Sequence, residues 1–158
     1  LATDLVSKNL TTKGLTFWVS FDPQSLEVNP YYEGQVSVDF YGRLHPRHTG
    51  GSVKLRNRTN SHKEIMDALD AAFSKKVDRS LLIRRLGIAA EDTREDDGMY
   101  QLDLFTDYNA LEKERRLQRA LLEVRQKYGT NALLRGMNYM EGGTARERNT
   151  QIGGHRSG

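Results

Sequence analysis

A chain of 158 residues can hold one domain with a buried core plus appendages. Its hydrophobic fraction of 37% against 28% charged residues is low for a single compact globule, so part of the chain is expected to be extended or solvated. The absence of cysteine excludes disulfides and thiolate chemistry; no apolar run reaches membrane-span length and no signal-peptide pattern opens the chain, which predicts a soluble, cytoplasmic protein with no membrane partner.

The formal net charge of +3 is unevenly spread. Residues 41 to 85 hold eleven Lys and Arg against four Asp and Glu, a net of +7, which leaves −4 for the remainder. Such a block suits a polyanionic partner, because neutralising phosphates releases counterions whatever the base sequence. A solvated surface is the plain alternative.

In chain order, residues 1 to 9 have helical spacing, with Leu1, Leu5 and Val6 on one side and Gly14 at a plausible stop. This helix begins as if already under way, which predicts a piece of a longer protein. Residues 15 to 21 are rich in aromatic and β-branched side chains and end at Asp22-Pro23, a strand. Between 28 and 51, Asn29-Pro30 and Gly50-Gly51 mark turns, while Val36, Val38 and Phe40 alternate with polar residues as in an exposed strand or hairpin. Residues 52 to 58 alternate again: Val53 and Leu55 face one way, Lys54, Arg56 and Arg58 the other.

Ser61 opens the clearest helix. Glu64 stands three residues on, so the hydroxyl can cap the third helical amide while the carboxylate reaches back. Ile65, Met66, Leu69, Ala72 and Phe73 then share one face. Residues 81 to 90 read as a well-buried strand interrupted by Arg84 and Arg85, and the acidic stretch from 91 to 97 as a linker. From 107 to 128 a highly charged helix carries a narrow stripe of Leu117, Leu121, Val124 and Tyr128, closed by Gly129. Residues 142 to 158 are polar and basic, with Ile152 almost alone as a large apolar group; order is expected there only on binding.

Gln101-Leu102-Asp103-Leu104-Phe105 follows the acidic stretch. A glutamine with apolar anchors at the second, fourth and fifth positions and an acid between them is similar to the peptides that dock onto the bacterial sliding clamp. The plain alternative is a short amphipathic strand.

Ile83-Arg84-Arg85-Leu86-Gly87-Ile88, followed by that pentapeptide and by the tail from Glu147 to His155, resembles the C-terminal part of the Y-family translesion DNA polymerases, in particular the ImpB/MucB/SamB, UmuC-like branch. The resemblance implies an α+β fold of the little-finger type, in which an antiparallel or mixed sheet has helices on one face, here without its first strand and with a C-terminal helical extension. Residues 1 to 93 would be the truncated DNA-binding domain, 94 to 106 a linker with the clamp-binding peptide, and 107 to 158 a helix and basic tail. The bare sheet face would lie on template-primer duplex, with Lys54, Arg56, Arg58, Arg84 and Arg85 on phosphates and the helix start at Asn60 and Ser61 as a further phosphate site. Gln101, Leu102, Asp103, Leu104 and Phe105 would bind the clamp. The incomplete sheet edge, or the helix from 107 to 128, offers a route to self-association.

A catalytic site is not expected within the chain. The acids Glu91, Asp92, Glu95, Asp96 and Asp97 lack a scaffold to converge them, and His45 and His48 lack an assured carboxylate partner. In the family, the Mg2+-binding carboxylates belong to the palm domain of the parent, and no cofactor is expected here. A non-enzymatic clamp-binding adaptor that touches DNA and a plain protein-interaction domain are the rival readings. Whether the parent reading frame continues upstream into a palm separates the polymerase from the adaptor.

Overall fold

Alternation of apolar residues along one long strand sets the architecture. A computed structural model describes residues 1 to 98, 107 to 134, 136 to 141, 143 to 152 and 155 to 156. The chain forms two compact units, residues 1 to 106 and 107 to 158. The first runs α1 (Ala2–Ser7), β1 (Leu10–Phe21), α2 (Ser25–Val28), β2 (Val36–Val38), β3 (Leu44–Pro46), β4 (Thr49–Thr59), α3 (His62–Lys76) and β5 (Ile83–Glu95). β1 lies between β4 and β5 in a three-stranded sheet, antiparallel to both.

Leu15, Phe17, Val19 and Phe21 project from one side of β1 and are buried. They meet Leu5 of α1, Ile65 and Leu69 of α3, and Leu55, Val77 and Leu81 in one core; the Phe17 and Phe73 rings are 6.3 Å apart. Full burial of each such side chain is worth about 1.5–3 kcal/mol. α3 is capped at its start by the Ser61 hydroxyl as its sequence predicts, while the Ser61 amide goes to the Thr59 hydroxyl rather than to Glu64. The Ser61 hydroxyl accepts from the Glu64 amide at 3.2 Å, and Lys75 and Lys76 stand in the last turn against the negative end of the dipole. The fold is thus α+β, a fully antiparallel sheet packed with helices.

Two expectations change. Residues 81 to 90 are not a well-buried strand: Leu81 is buried, but Leu82, Ile83, Leu86 and Ile88 are exposed, Leu86 to 57%. β5 is a lateral strand bonded only to β1, so Leu86 and Ile88, opposite Val19 and Phe17, share the helix side of the sheet without being covered there. The acidic stretch read as a linker is strand as far as Glu95, because Leu10, Thr11 and Thr12 continue β1 and pair with Glu95, Arg94 and Thr93.

The segment between β1 and β4 is a separate two-stranded hairpin, with Val36 opposite Pro46 and Val38 opposite Leu44. Phe40 is therefore not a strand residue but part of the turn. Gly42 turns the chain at φ +78°, where a Cβ would be strained. The Asp39 carboxylate accepts from the Tyr41 and Arg43 amides at 2.9 Å each and pairs with the Arg43 guanidinium at 2.7 Å.

The second unit begins with α4 (Tyr108–Tyr128), capped where Asp107 accepts from the Ala110 amide at 3.0 Å. Of the expected stripe, Leu121 and Val124 are half-buried while Leu117 and Tyr128 are exposed. A 3-10 turn follows at Gly136–Tyr139, and the described part of residues 142 to 158 holds α5 (Ala145–Arg148) and a minimal hairpin of β6 (Gln151–Ile152) and β7 (His155–Arg156). Among the described residues no helix is long and apolar enough to cross a membrane.

Candidate nucleic-acid interface

The face of the sheet opposite the core is open over its centre, where Trp18 is half exposed and Ser52, Lys54 and Ala89 are exposed. Residues paired across an antiparallel sheet share a face, so register assigns its members. Gly14 stands between Lys54 and Glu91, Thr16 between Ser52 and Ala89, and Trp18 between Gly50 and Gly87, while Ser20 faces Arg85. The centre is built of small side chains on which the Trp18 ring lies flat, 49% exposed. A Cβ at Gly87 would come within 2.1–2.6 Å of three indole atoms, so glycine there is what allows the ring to lie down. Thr16 donates to the Glu91 carboxylate beside it.

Cations bound this face at opposite ends. Lys54 is exposed on β4, and Arg56 follows it beyond the buried Leu55. Arg85 stands opposite Ser20, and Arg84 is the extra residue where register shifts between Ser20 and Phe21. Both arginines are exposed, and neither makes an ion pair or side-chain hydrogen bond with another described residue.

The other predicted contacts are turned to internal use. Arg58 reaches across β1 to Asp92, pairing with its carboxylate at 2.5 Å and donating to its carbonyl. That guanidinium, with Arg94 at 3.5 Å, holds the Asp92 carboxyl below the usual carboxylate range. Asn60 and Ser61 are buried. Asn60 donates to the Leu10 carbonyl at 3.1 Å and to Asp96 at 3.2 Å, and the Ser61 amide is taken by the Thr59 hydroxyl at 2.9 Å. Gln101, Leu102, Asp103, Leu104 and Phe105 lie outside the described residues.

A second cluster was not singled out from sequence. The hairpin turn stands over the β1–β5 end of the sheet, and a cleft of about 330 Å3 is lined by Phe40, Tyr41, Arg43, Arg84 and Arg85. His45 is buried in its wall, its Nδ1 2.8 Å from the Pro46 carbonyl, with the His48 ring 5.1 Å away. Among the described residues no group of three or more His, Asp or Glu could hold a metal ion. The His, Asp and Glu side chains among the described residues therefore assemble no Mg2+ site.

A cation-bounded sheet face beside an arginine cleft has the charge to take a polyanion. The chain is 33% identical over 103 residues to DNA polymerase IV 2 of Bacillus subtilis (strain 168), covering 65% of this chain and 24% of that protein. It is 34% identical over 102 residues to DNA polymerase IV of Oceanobacillus iheyensis, covering 63% and 24%. The chain is a distant, partial homologue of Y-family DNA polymerases. A shorter stretch is 44% identical over 63 residues to UvrX of Bacillus subtilis, 40% of this chain and 15% of that protein. The polymerase homologue spans about a quarter or less of the length of these curated relatives. No family model matches its sequence, and no solved structure matches it.

Proposed function

We propose that this chain is the DNA-holding and clamp-docking part of a translesion DNA polymerase of the Y family, gripping template-primer duplex without sequence preference during bypass of damaged DNA. The observation that carries the reading is the open centre of the sheet face opposite the core, built of small side chains and bounded by Lys54 and Arg56 at one end and Arg84 and Arg85 at the other. Small side chains let a duplex approach closely. Alternate residues on a strand are about 6.5 Å apart, a spacing that suits successive phosphates, and contacts to the backbone hold many sequences and distorted templates alike. Arg58, Asn60 and Ser61 are left out of this interface: Arg58 reaches across the sheet to Asp92, and Asn60 and Ser61 are buried. Residues 101 to 105 dock the parent on the sliding clamp through Leu104 and Phe105 with Gln101 as the polar contact, a weak contact strengthened by tethering to the same DNA. The chemistry, and its Mg2+, belong to a palm domain of the parent; the residues here supply position.

The test is a salt titration of duplex affinity. R84E/R85E should weaken binding and lower the slope of log K against log salt by about two, one per lost phosphate contact. An unchanged slope overturns the assignment. Independently, L104A/F105A should abolish clamp binding and leave duplex affinity intact.

A further inference from the structure

The hairpin turn exposes two aromatic rings at the mouth of an arginine cleft. Phe40 is 97% exposed and Tyr41 78%, and they meet edge to face at 5.5 Å. Arg43 lies 5.4 Å from the Tyr41 ring centre, so one face of Tyr41 is occupied while Phe40 is open. This tip is held in place. Two amide bonds and the Arg43 pair converge on Asp39, and the same bonds keep its carboxyl below the usual range. Across the cleft stand Arg84 and Arg85, without partners among the described residues. Asp39, the acid lining the cleft, is already neutralised by Arg43.

A pre-ordered aromatic ring beside guanidinium groups that have no partner among the described residues is what an unpaired nucleotide requires: a surface for the base and cations for the flanking phosphates. Paired bases are stacked within the duplex and cannot use an aromatic ring in this way. We infer that the Phe40–Tyr41 tip and the cleft behind it bind single-stranded DNA, stacking an unpaired base on Phe40 while Arg84 and Arg85 hold the backbone where it leaves the duplex. This deepens the proposed function and rests on it for the position of the duplex.

Fluorescence anisotropy of the full chain on three labelled DNAs tests it: a blunt duplex, the same duplex with a 5′ overhang of six thymidines, and that duplex with an abasic overhang. Wild type should bind the thymidine overhang about tenfold more tightly than the blunt end, within the range for one stacked base. The abasic overhang, which keeps the phosphates, should lose most of that gain. F40A/Y41A should remove the gain and leave blunt-duplex affinity unchanged. Equal affinity of wild type for blunt and thymidine-tailed duplex, or a gain that survives F40A/Y41A, overturns the inference. If blunt duplex does not bind but a thymidine oligonucleotide binds in a Phe40-dependent way, the duplex reading fails and this one stands.

Discussion

The packing of Trp18 on Gly87 gives the open sheet face its shape, and it yields a quantitative prediction. G87A adds a methyl group where three indole atoms stand within 2.6 Å, so the ring must lift from the sheet. Trp18 is half covered, which for a tryptophan is on the order of 100 Å2. Losing all of it would cost about 2.5 kcal/mol at 25 cal/mol per Å2. Replacing glycine within a strand returns about 0.5–1 kcal/mol, which leaves a net loss of about 1.5–2 kcal/mol. In the W18A background the same methyl meets no ring and should stabilise by that smaller amount, so the double-mutant cycle should show coupling of about 2.5 kcal/mol at most. Urea denaturation of the four proteins measures it. Trp18 is the only tryptophan in the chain, so its emission maximum in G87A should also shift to longer wavelength as the ring enters water. Equal destabilisation by G87A with and without Trp18, or an unmoved emission maximum, would refute the packing argument.

Two further outcomes follow from bonds described above. S61A removes the hydroxyl that caps α3 and should cost about 1 kcal/mol, whereas S61D, which keeps an acceptor there, should retain most of the stability in the same melts. Asp92 has its folded pKa depressed by Arg58, so its contribution is present above the unfolded value and is lost as pH falls through the lower folded value. Thermal melts from pH 6 downward should therefore show stability falling below about pH 4, with a shallower decline in D92N.

The main elements were legible because each carries its own local signal. β1 is rich in aromatic and β-branched residues and stops at Asp22-Pro23, α3 has a serine and glutamate at capping spacing, and β4 separates Val53 and Leu55 from Lys54 and Arg56. What was missed depends on which strands become neighbours. Leu86 and Ile88 look like core residues, yet β5 has a neighbour on one side only and they remain exposed. Residues 91 to 95 have a linker's composition but become strand because β1 extends far enough to pair with them. Arg58 resembles its neighbours Lys54 and Arg56, and only the placement of β5 across β1 brings Asp92 within its reach. Asn60 and Ser61 have the sequence of an open helix start, whereas the Leu10 carbonyl takes the Asn60 side chain and the Thr59 hydroxyl takes the Ser61 amide. Trp18 had a signal in retrospect: a large ring on the strand face opposite Phe17 and Val19 needs a small partner, and Gly87 supplies it only once the register is known.

The hairpin of β2 and β3 shares no strand with the three-stranded sheet, and its turn is closed by bonds among residues 39 to 43 alone. Phe40 and Tyr41 can therefore be exchanged without altering register or core packing elsewhere. Mutational tolerance should differ sharply between the two parts: Leu15, Val19 and Gly87 are fixed by their neighbours, whereas the tip is a replaceable cassette. Changes there should alter what the tip binds while the scaffold beneath it stays constant.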